Sequence, residues 1–335
     1  MLIVLQVTGR CDFSCTMCSA TSLKRFSDMS LDTVDKVLSK YKSLVDSICI
    51  VGGEPLLRGP KFFQQLISLV ETKYPKISRI DITSNMWQFK KRPEDWTEIF
   101  KHKKVYPCTS FQYGDARRLS KSRIFTESDF LEIFSLYKSL IGEPLSFIAV
   151  LDEANEHRAL DTVKLAKSLN TQCMLSVKQG YGAAKDRWYP FAKGLKIYAD
   201  IITSGLAYYE DNSSNLLDLV SHSLVGGICP FNRHCRETIL TVDPNGNEAC
   251  CTIESRETST KIYFAKLKDQ TDSAQNYISD KCFTCSMFKY CNGCYQHIKG
   301  TRFLYKTEEE LVQNHCRIVH ESIQRVIDYA KNHSN

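Results

Sequence analysis

Short apolar runs alternate with amphipathic segments along the first 180 residues of the chain. The apolar runs predict six strands, at residues 2–7, 47–51, 77–83, 105–111, 145–151 and 173–177. Between them, Leu31, Val34, Leu38 and Tyr41 recur at helical spacing and share one face. Alternating strands and helices are typical of a parallel α/β sheet. Six units are too few to close an eight-stranded barrel, so we predict a partial, open (β/α)6 barrel.

Local signals mark where several of the predicted helices begin. Ser30 stands where an N-cap is expected before the first helical pattern. Gly59 and Pro60 open the second helix, since proline is favoured in a first turn. Thr126 followed by Asp129 has the spacing of a capping pair for a later helix.

The C-terminal part of the chain differs from the predicted barrel in its high density of cysteines. Nine of the 15 cysteines lie between Cys229 and Cys316, a density that core packing does not explain. Inside that region, Asp243-Pro244-Asn245-Gly246 predicts the turn of a β-hairpin, and a helix follows from about residue 307. We therefore predict a partial barrel at 1–180, a helical connector at 181–224, a small cysteine-rich domain at 225–320, and the end of a C-terminal helix at 321–335.

Composition and charge narrow the classes of function and location. The 44 basic and 38 acidic residues give a net charge of +6, spread along the chain without a basic tail, so no nucleic-acid partner is expected. No apolar stretch reaches the ~18 residues that span a bilayer, and the start lacks a signal peptide, so we expect a cytoplasmic protein without a membrane partner. In a reducing cytoplasm, cysteine clusters indicate metal binding or catalysis more than disulfides.

Three cysteines follow the first predicted strand. Cys11, Cys15 and Cys18 form a CxxxCxxC cluster in a loop at the carboxyl edge of the sheet, where such folds build their active sites. Three thiolates can hold three irons of a [4Fe–4S] cluster and leave the fourth iron open to a ligand. A structural zinc site, the alternative, uses four closed ligands. The element Gly52-Gly53-Glu54-Pro55 follows the second strand.

Together, the CxxxCxxC cluster and the GGEP element resemble the radical S-adenosylmethionine (SAM) superfamily. The resemblance implies that the open iron binds SAM and that Gly52, Gly53, Glu54 and Pro55 contact its amino group. Ser84 and Asn85 after the third strand, Ser110 at the end of the fourth and Asn155 after the fifth stand where members place polar contacts to SAM. Each of these polar residues also suits the alternative role of a strand-end cap.

The C-terminal cysteines resemble the SPASM extension of radical SAM enzymes. The resemblance implies two auxiliary [4Fe–4S] clusters and thus three in total. The first cluster takes Cys229, Cys235, one of Cys250 or Cys251, and Cys294, and the second takes Cys282, Cys285, Cys291 and Cys316. One departure from the family pattern is that two residues separate Cys291 from Cys294 where three are usual. Two closed zinc sites are the alternative.

One member of the Cys250-Cys251 pair is left over by this ligand assignment. In radical SAM epimerases of this group, a free thiol returns a hydrogen atom to the substrate radical, which makes the leftover thiol a candidate catalytic group. Its alternative role is that of a small apolar side chain packed in the hairpin.

The resemblance leaves three functions open. The favoured one is hydrogen abstraction from a carbon of a ribosomally made peptide, leading to epimerisation or cross-linking, with residues 110–118 contacting the substrate. The second is the same radical chemistry on an aminosugar, as an epimerase or dehydrogenase. The third is a non-catalytic iron–sulfur or zinc module. The chain begins at its first strand, without the N-terminal winged-helix domain by which many peptide-modifying relatives hold a leader, and this disfavours leader-dependent peptide maturases. The expected electron donor is a flavodoxin or ferredoxin.

Overall fold

A computed structural model describes residues 1–25, 27–222, 231, 235–249, 251, 280–291 and 294–333. The chain divides into two compact units that are not continuous in sequence. The first unit comprises Met1–Phe147, Tyr181–Ala183 and Cys235–Phe264. The second comprises Ile148–Gly180, Ala184–His234 and Ala265–Asn335. The predicted domain boundaries stay a prediction.

The described residues form eight strands. They are β1 (Leu2–Gln6), β2 (Ser47–Val51), β3 (Arg79–Thr83), β4 (Val105–Ser110), β5 (Ser146–Leu151), β6 (Cys173–Val177), β7 (Ile239–Val242) and β8 (Glu248–Ala249). The first six match the six predicted strands to within two residues at each end. Alternation of apolar and polar positions, as in β2 and β3, buries every second side chain and explains why these runs are strands.

Strands of the first unit pair in the order β4-β3-β2-β1-β7-β8. The pairs from β4 to β7 are parallel, whereas β8 returns antiparallel to β7. Leu2 pairs with Ser47 on one side and with Ile239 on the other, so β1 lies inside the sheet and is almost wholly buried. The predicted hairpin is confirmed, and its first strand extends the parallel sheet beside β1.

Helices flank these strands in the described part of the chain. They are α1 (Leu31–Lys40), α2 (Pro60–Lys73), α3 (Trp87–Lys91), α4 (Thr97–Phe100), α5 (Glu127–Ile141), α6 (Ala159–Ser168), α7 (Phe191–Thr203), α8 (Asp211–His222), α9 (Cys235–Thr238), α10 (Phe288–Cys291), α11 (Tyr295–Leu304), α12 (Glu308–Leu311) and α13 (Arg317–His333). The Ser30 hydroxyl caps α1 by accepting from the Thr33 N–H, as predicted. Thr126 and Asp129 form a reciprocal capping box at α5.

The C-terminal helix is interrupted near its start. Thr307 and Glu310 form a capping box for α12, and the π-helical segment Val312–Cys316 joins α12 to α13. Within the second unit, α13 packs against α7, and the Arg325 guanidinium pairs with Asp200 at 2.7 Å. Such π segments are rare and change which residues share a helix face, and Cys316 is the last residue of this one.

The predicted fold class is confirmed: a partial α/β barrel with a mostly parallel sheet, followed by a cysteine-rich region and a terminal helix. Of the three cysteines within barrel strands, Cys49 and Cys108 are half-buried and Cys173 is buried. No helix in the described ranges is long and apolar enough to cross a bilayer.

Candidate functional site

The three N-terminal cysteines lie in the loop between β1 and a 3-10 helix, Ser19–Arg25. All three are half-buried, and the Phe13 N–H points to the Cys11 sulfur at 3.4 Å. Burial raises the pKa of Cys11 to about 12 and also raises the pKa of Cys15. Without a metal these two thiols hold their protons, and an iron–sulfur cluster bound as thiolates has to displace them.

The GGEP element is joined to the cysteine loop through the backbone. The Gly53 N–H donates to the Thr8 carbonyl at 2.8 Å, and the Glu54 N–H donates to the Arg10 carbonyl at 2.7 Å. A Cβ on Gly53 would lie 2.2 Å from the Arg10 oxygen, and one on Gly52 would lie 2.5 Å from the Thr8 oxygen. Both glycines are therefore required for the approach of the two loops.

Glu54 links this element to the loop after β3. Its side chain is 1% exposed and accepts from the Leu56 N–H at 2.9 Å, the Ser84 hydroxyl at 2.7 Å and the Asn85 N–H at 2.7 Å. Burial raises its pKa to about 7, against the effect of these three donors. The carboxylate is thus engaged by the protein, and what remains of GGEP for SAM is chiefly backbone.

Asp12 lies within the CxxxCxxC motif and links the cysteine loop to the residues that follow β3. Its carboxylate accepts from the Asn85 side-chain amide at 2.8 Å and from the Gln88 amide at 2.8 Å. Sequence reasoning missed both Asp12 and Gln88. The sequence signal for Asp12 was a carboxylate placed between the predicted ligands Cys11 and Cys15. Its hydrogen-bond partners, however, lie more than 70 residues away in the chain.

Residues 116–118 hold the other side of the cysteine loop. The Ser14 N–H donates to the Arg118 carbonyl and the Thr16 N–H to the Ala116 carbonyl, both at 2.9 Å. Part of the segment that was predicted to contact substrate therefore supports the cysteine loop. Its role in substrate contact stays a prediction.

Arg117 is a buried cation beside this loop. It is 8% exposed, and its guanidinium lies 5.7 Å from the ring centroids of Phe13 and Phe125. It forms no ion pair with any carboxylate that the structure describes. Its charge lowers the pKa of Cys15 and so offsets part of the increase that burial causes. A buried cation in this position favours an anionic group at the cysteines.

The segment Tyr181–Ala183, which belongs to the first unit, contacts the backbone at Cys18. The Ala183 N–H donates to the Cys18 carbonyl at 2.9 Å. Gly182 adopts a φ of +59°, and a Cβ there would lie 2.5 Å from the Ser19 oxygen. No local pattern could show this contact, because Gly182 and Ser19 lie far apart in the chain.

The remaining predicted SAM contacts lie at or shortly after the ends of β3, β4 and β5. Ser84 and Asn85 lie beside Glu54 and Asp12, and Ser110 is the half-buried last residue of β4. Asn155 belongs to the second unit, where its side chain accepts from the Asp152 N–H at 3.0 Å and donates to the Val150 carbonyl at 2.8 Å. These contacts are those of a strand-end cap, and its contact with SAM stays a prediction.

In the second unit, four cysteines surround one cavity of about 260 Å³. They are Cys282, Cys285, Cys291 and Cys316, the set predicted for the second auxiliary cluster. Cys294, which was predicted to serve the other cluster, does not line the cavity. Burial raises the pKa of Cys291 to about 12 and also raises the pKa of Cys316. The donor set and the shared cavity fit a cluster held by four thiolates.

The set predicted for the first auxiliary cluster lies largely outside the described residues. Cys229 and Cys250 are outside them, and the side chain of Cys235 is too. Cys251 follows β8, in which Ala249 pairs with Thr241 of β7. Within the described ranges, no three histidine, cysteine or acidic side chains are spaced to hold a single metal ion.

Comparisons with known proteins agree with this architecture. Residues 5–166 match the family model of the Radical SAM superfamily. The structure of anSMEcpe with bound AdoMet and the Cp18Cys peptide is similar at a TM-score of 0.73 and 17% identity, covering 99% of this chain and 98% of that one. Streptococcus suis SuiB bound to its precursor peptide SuiA gives a TM-score of 0.59 and 18% identity, over 88% of this chain and 71% of that one.

At these identities the two solved structures establish the fold alone. No curated protein matches the sequence. The family match begins within β1 and spans the cysteine loop, the GGEP element and the strands through β5, which are the parts whose geometry is described above. Residues 5–166 of this chain are therefore similar to the Radical SAM superfamily over the segment that carries the cysteine loop and the GGEP element.

Proposed function

We propose that this protein is a radical SAM enzyme that abstracts a hydrogen atom from a carbon of a ribosomally made peptide. The observation that carries the proposal is the linkage of three loops at the carboxyl edge of the sheet. Backbone hydrogen bonds join the Cys11 loop to GGEP, and Glu54 and Asp12 join both to Ser84 and Asn85. Such a linkage holds three thiols and a potential ligand-binding backbone in fixed relation.

Each part of this site has a definable task. Cys11, Cys15 and Cys18 hold the cluster, and Gly52, Gly53, Glu54, Pro55, Ser84, Asn85 and Ser110 position SAM. When bound, the [4Fe–4S] cluster supplies the electron that splits SAM into methionine and a 5′-deoxyadenosyl radical. Arg117 balances negative charge near Cys15, and the apolar rings of Phe13 and Phe125 keep water from that side.

The preference for a peptide substrate comes from the solved structures of similar fold. Both anSMEcpe and SuiB are described with bound peptides. A large shared architecture makes a peptide the first substrate to test, ahead of an aminosugar. Whether the product is epimerised or cross-linked depends on whether Cys250 or Cys251 returns a hydrogen atom to the substrate radical, and Cys250 lies outside the described residues.

SAM cleavage tests the core of the proposal. Anaerobic, reconstituted protein with a chemical reductant, or with a flavodoxin or ferredoxin, is expected to release 5′-deoxyadenosine. Cys11→Ala, Cys15→Ala and Cys18→Ala should each abolish that release, while the matched Cys108→Ala variant should retain it. An iron-loaded wild-type protein that releases none would overturn the assignment and favour a non-catalytic iron–sulfur module.

Reaction type is tested by incubation with candidate peptides from neighbouring genes in deuterated buffer. Deuterium uptake at one carbon indicates epimerisation, and loss of two hydrogens indicates cross-linking or dehydrogenation. For epimerisation, we expect Cys250→Ala or Cys251→Ala, but not both, to retain cluster iron and lose inversion. Turnover of an aminosugar with no turnover of any peptide would replace the proposed substrate class.

The two auxiliary clusters are tested by metal content. Full-length protein should bind about 12 iron atoms per chain, as three four-iron clusters do. Cys282→Ala should remove about 4 of them. Zinc in place of iron at the C-terminal cysteines would show that these are zinc sites.

A further inference from the structure

Two histidines accompany the four cysteines around the cavity of the second unit. His315 and His320 both line it. His315 is 6% exposed, and its Nδ1 has no hydrogen-bond partner among the described residues. The His320 Nε2 lies 3.3 Å from the Cys285 sulfur. Four cysteines already supply one ligand for each iron of a cluster, so these imidazoles are available for another task.

The chain path explains why His320 meets Cys285. Cys316 ends the π segment, and His320 follows four residues later in α13, on the same face of the helix. Cys285 reaches the same cavity from the turn that follows the 3-10 helix Asp280–Thr284. Cys316 and His320 therefore reach the cavity from one face of a helix, and Cys285 reaches it from another segment.

We propose that His320 donates a hydrogen bond from Nε2 to the Cys285 sulfur and thereby raises the reduction potential of the second auxiliary cluster. This inference rests on the proposed function, in which Cys285 is a cluster ligand. A donor to a ligating sulfur withdraws negative charge from it, which stabilises the reduced, more negative state of the cluster. His320 is a positioning and tuning residue, because it acts on the cluster through Cys285.

The experiment uses full-length protein in which Cys11, Cys15 and Cys18 are changed to Ala, so that only auxiliary clusters remain. Into this parent protein we introduce His320→Phe, which removes the donor, and His320→Gln, which retains one. His333→Phe is the matched control, because His333 lies near the end of the same helix and stacks on Tyr329. Iron content and midpoint potentials, followed by electron paramagnetic resonance, are measured for each.

We expect full iron content in all variants and a lower midpoint potential for one of the two clusters in His320→Phe. His320→Gln should restore most of that potential, and His333→Phe should leave it unchanged. Unchanged potentials in iron-loaded His320→Phe would overturn the tuning role and leave the proposed function standing. Loss of about 4 irons in both His320 variants would overturn it too, because His320 would then be a ligand. A parent protein without cluster signals would instead refute the auxiliary clusters of the proposed function.

Discussion

The backbone N–H of Glu54 donates to the carbonyl of Arg10 at 2.7 Å, so the residue preceding Cys11 is held by the GGEP element. The Glu54 side chain simultaneously accepts from Ser84 and Asn85. One residue therefore fixes the relation among the loops after β1, β2 and β3. Since these loops lie next to each other on parallel strands, small errors in any one would displace the cysteines.

Gly53→Ala tests the contact between the two loops. The new Cβ would lie 2.2 Å from the Arg10 oxygen, so the cysteine loop has to move, at a cost on the order of 2 kcal/mol. We expect loss of most of the iron of one cluster, about 4 atoms per chain, in a metal assay.

Gly142→Ala is the matched control for Gly53→Ala. Gly142 has a φ of +93°, but nothing lies within 4 Å of a Cβ there. We expect the Gly142→Ala variant to lose about 1 kcal/mol of its free energy of unfolding and to keep all of its iron. Equal iron contents in the Gly53 and Gly142 variants would contradict the predicted contact.

Asp12→Ala tests the anchor inside the cysteine motif. The change removes two hydrogen bonds to a carboxylate and leaves the amides of Asn85 and Gln88 without it, so we expect a loss of on the order of 2 kcal/mol and weaker SAM binding. Urea unfolding and a SAM dissociation constant of the reconstituted protein measure the two effects. Gln88→Ala, which removes one of the two bonds, should show roughly half the loss of stability. Wild-type SAM affinity in Asp12→Ala would refute the anchoring role.

Arg117→Met tests the buried cation beside Cys15. Removing a positive charge disfavours the reduced state of a nearby cluster, so its midpoint potential should fall. Arg117→Lys should keep most of the potential, and Arg92→Met, a change of an exposed arginine, should leave it unaltered. Redox titration followed by electron paramagnetic resonance measures all three. Equal midpoint potentials in Arg117→Met and wild type would contradict an effect of the Arg117 charge on this cluster.

Glu210 predicts a pH dependence of stability in the second unit. It is fully buried, accepts from the N–H groups of Leu175, Asn212 and Ser213, and burial raises its pKa to about 7. Between an ordinary pKa of 4.5 and 7, the folded state keeps a proton that the unfolded state has lost. Stability from this group is therefore complete below pH 4.5 and is lost as the pH rises to 7.

We expect the free energy of unfolding of wild type, relative to Glu210→Gln, to decrease by on the order of 2 kcal/mol between pH 5 and pH 7.5. Urea titrations at the two pH values measure the difference. The exposed Glu94→Gln variant is the control and should follow wild type. A difference between wild type and Glu210→Gln that does not change with pH would show that Glu210 is ionised throughout.

Local patterns in the sequence determined the six barrel strands, the caps at Ser30 and Thr126, and the hairpin turn at Gly246. They could do so because strand period, capping and turn geometry depend on residues a few positions apart. The spacing of Cys11, Cys15 and Cys18, together with GGEP, also indicated the family that residues 5–166 match. These motifs are short and contiguous, so no tertiary information was needed.

Tertiary structure alone decided which residues hold the site together. Asp12 meets Gln88, Cys18 meets Ala183, and β7 pairs with β1 across separations that no local pattern encodes. It also decided that the Glu54 carboxylate is buried among protein donors and that Cys285 lies beside His320. Burial and long-range hydrogen bonds depend on how strands and helices pack, and packing is a property of the whole chain that spacing in sequence does not specify.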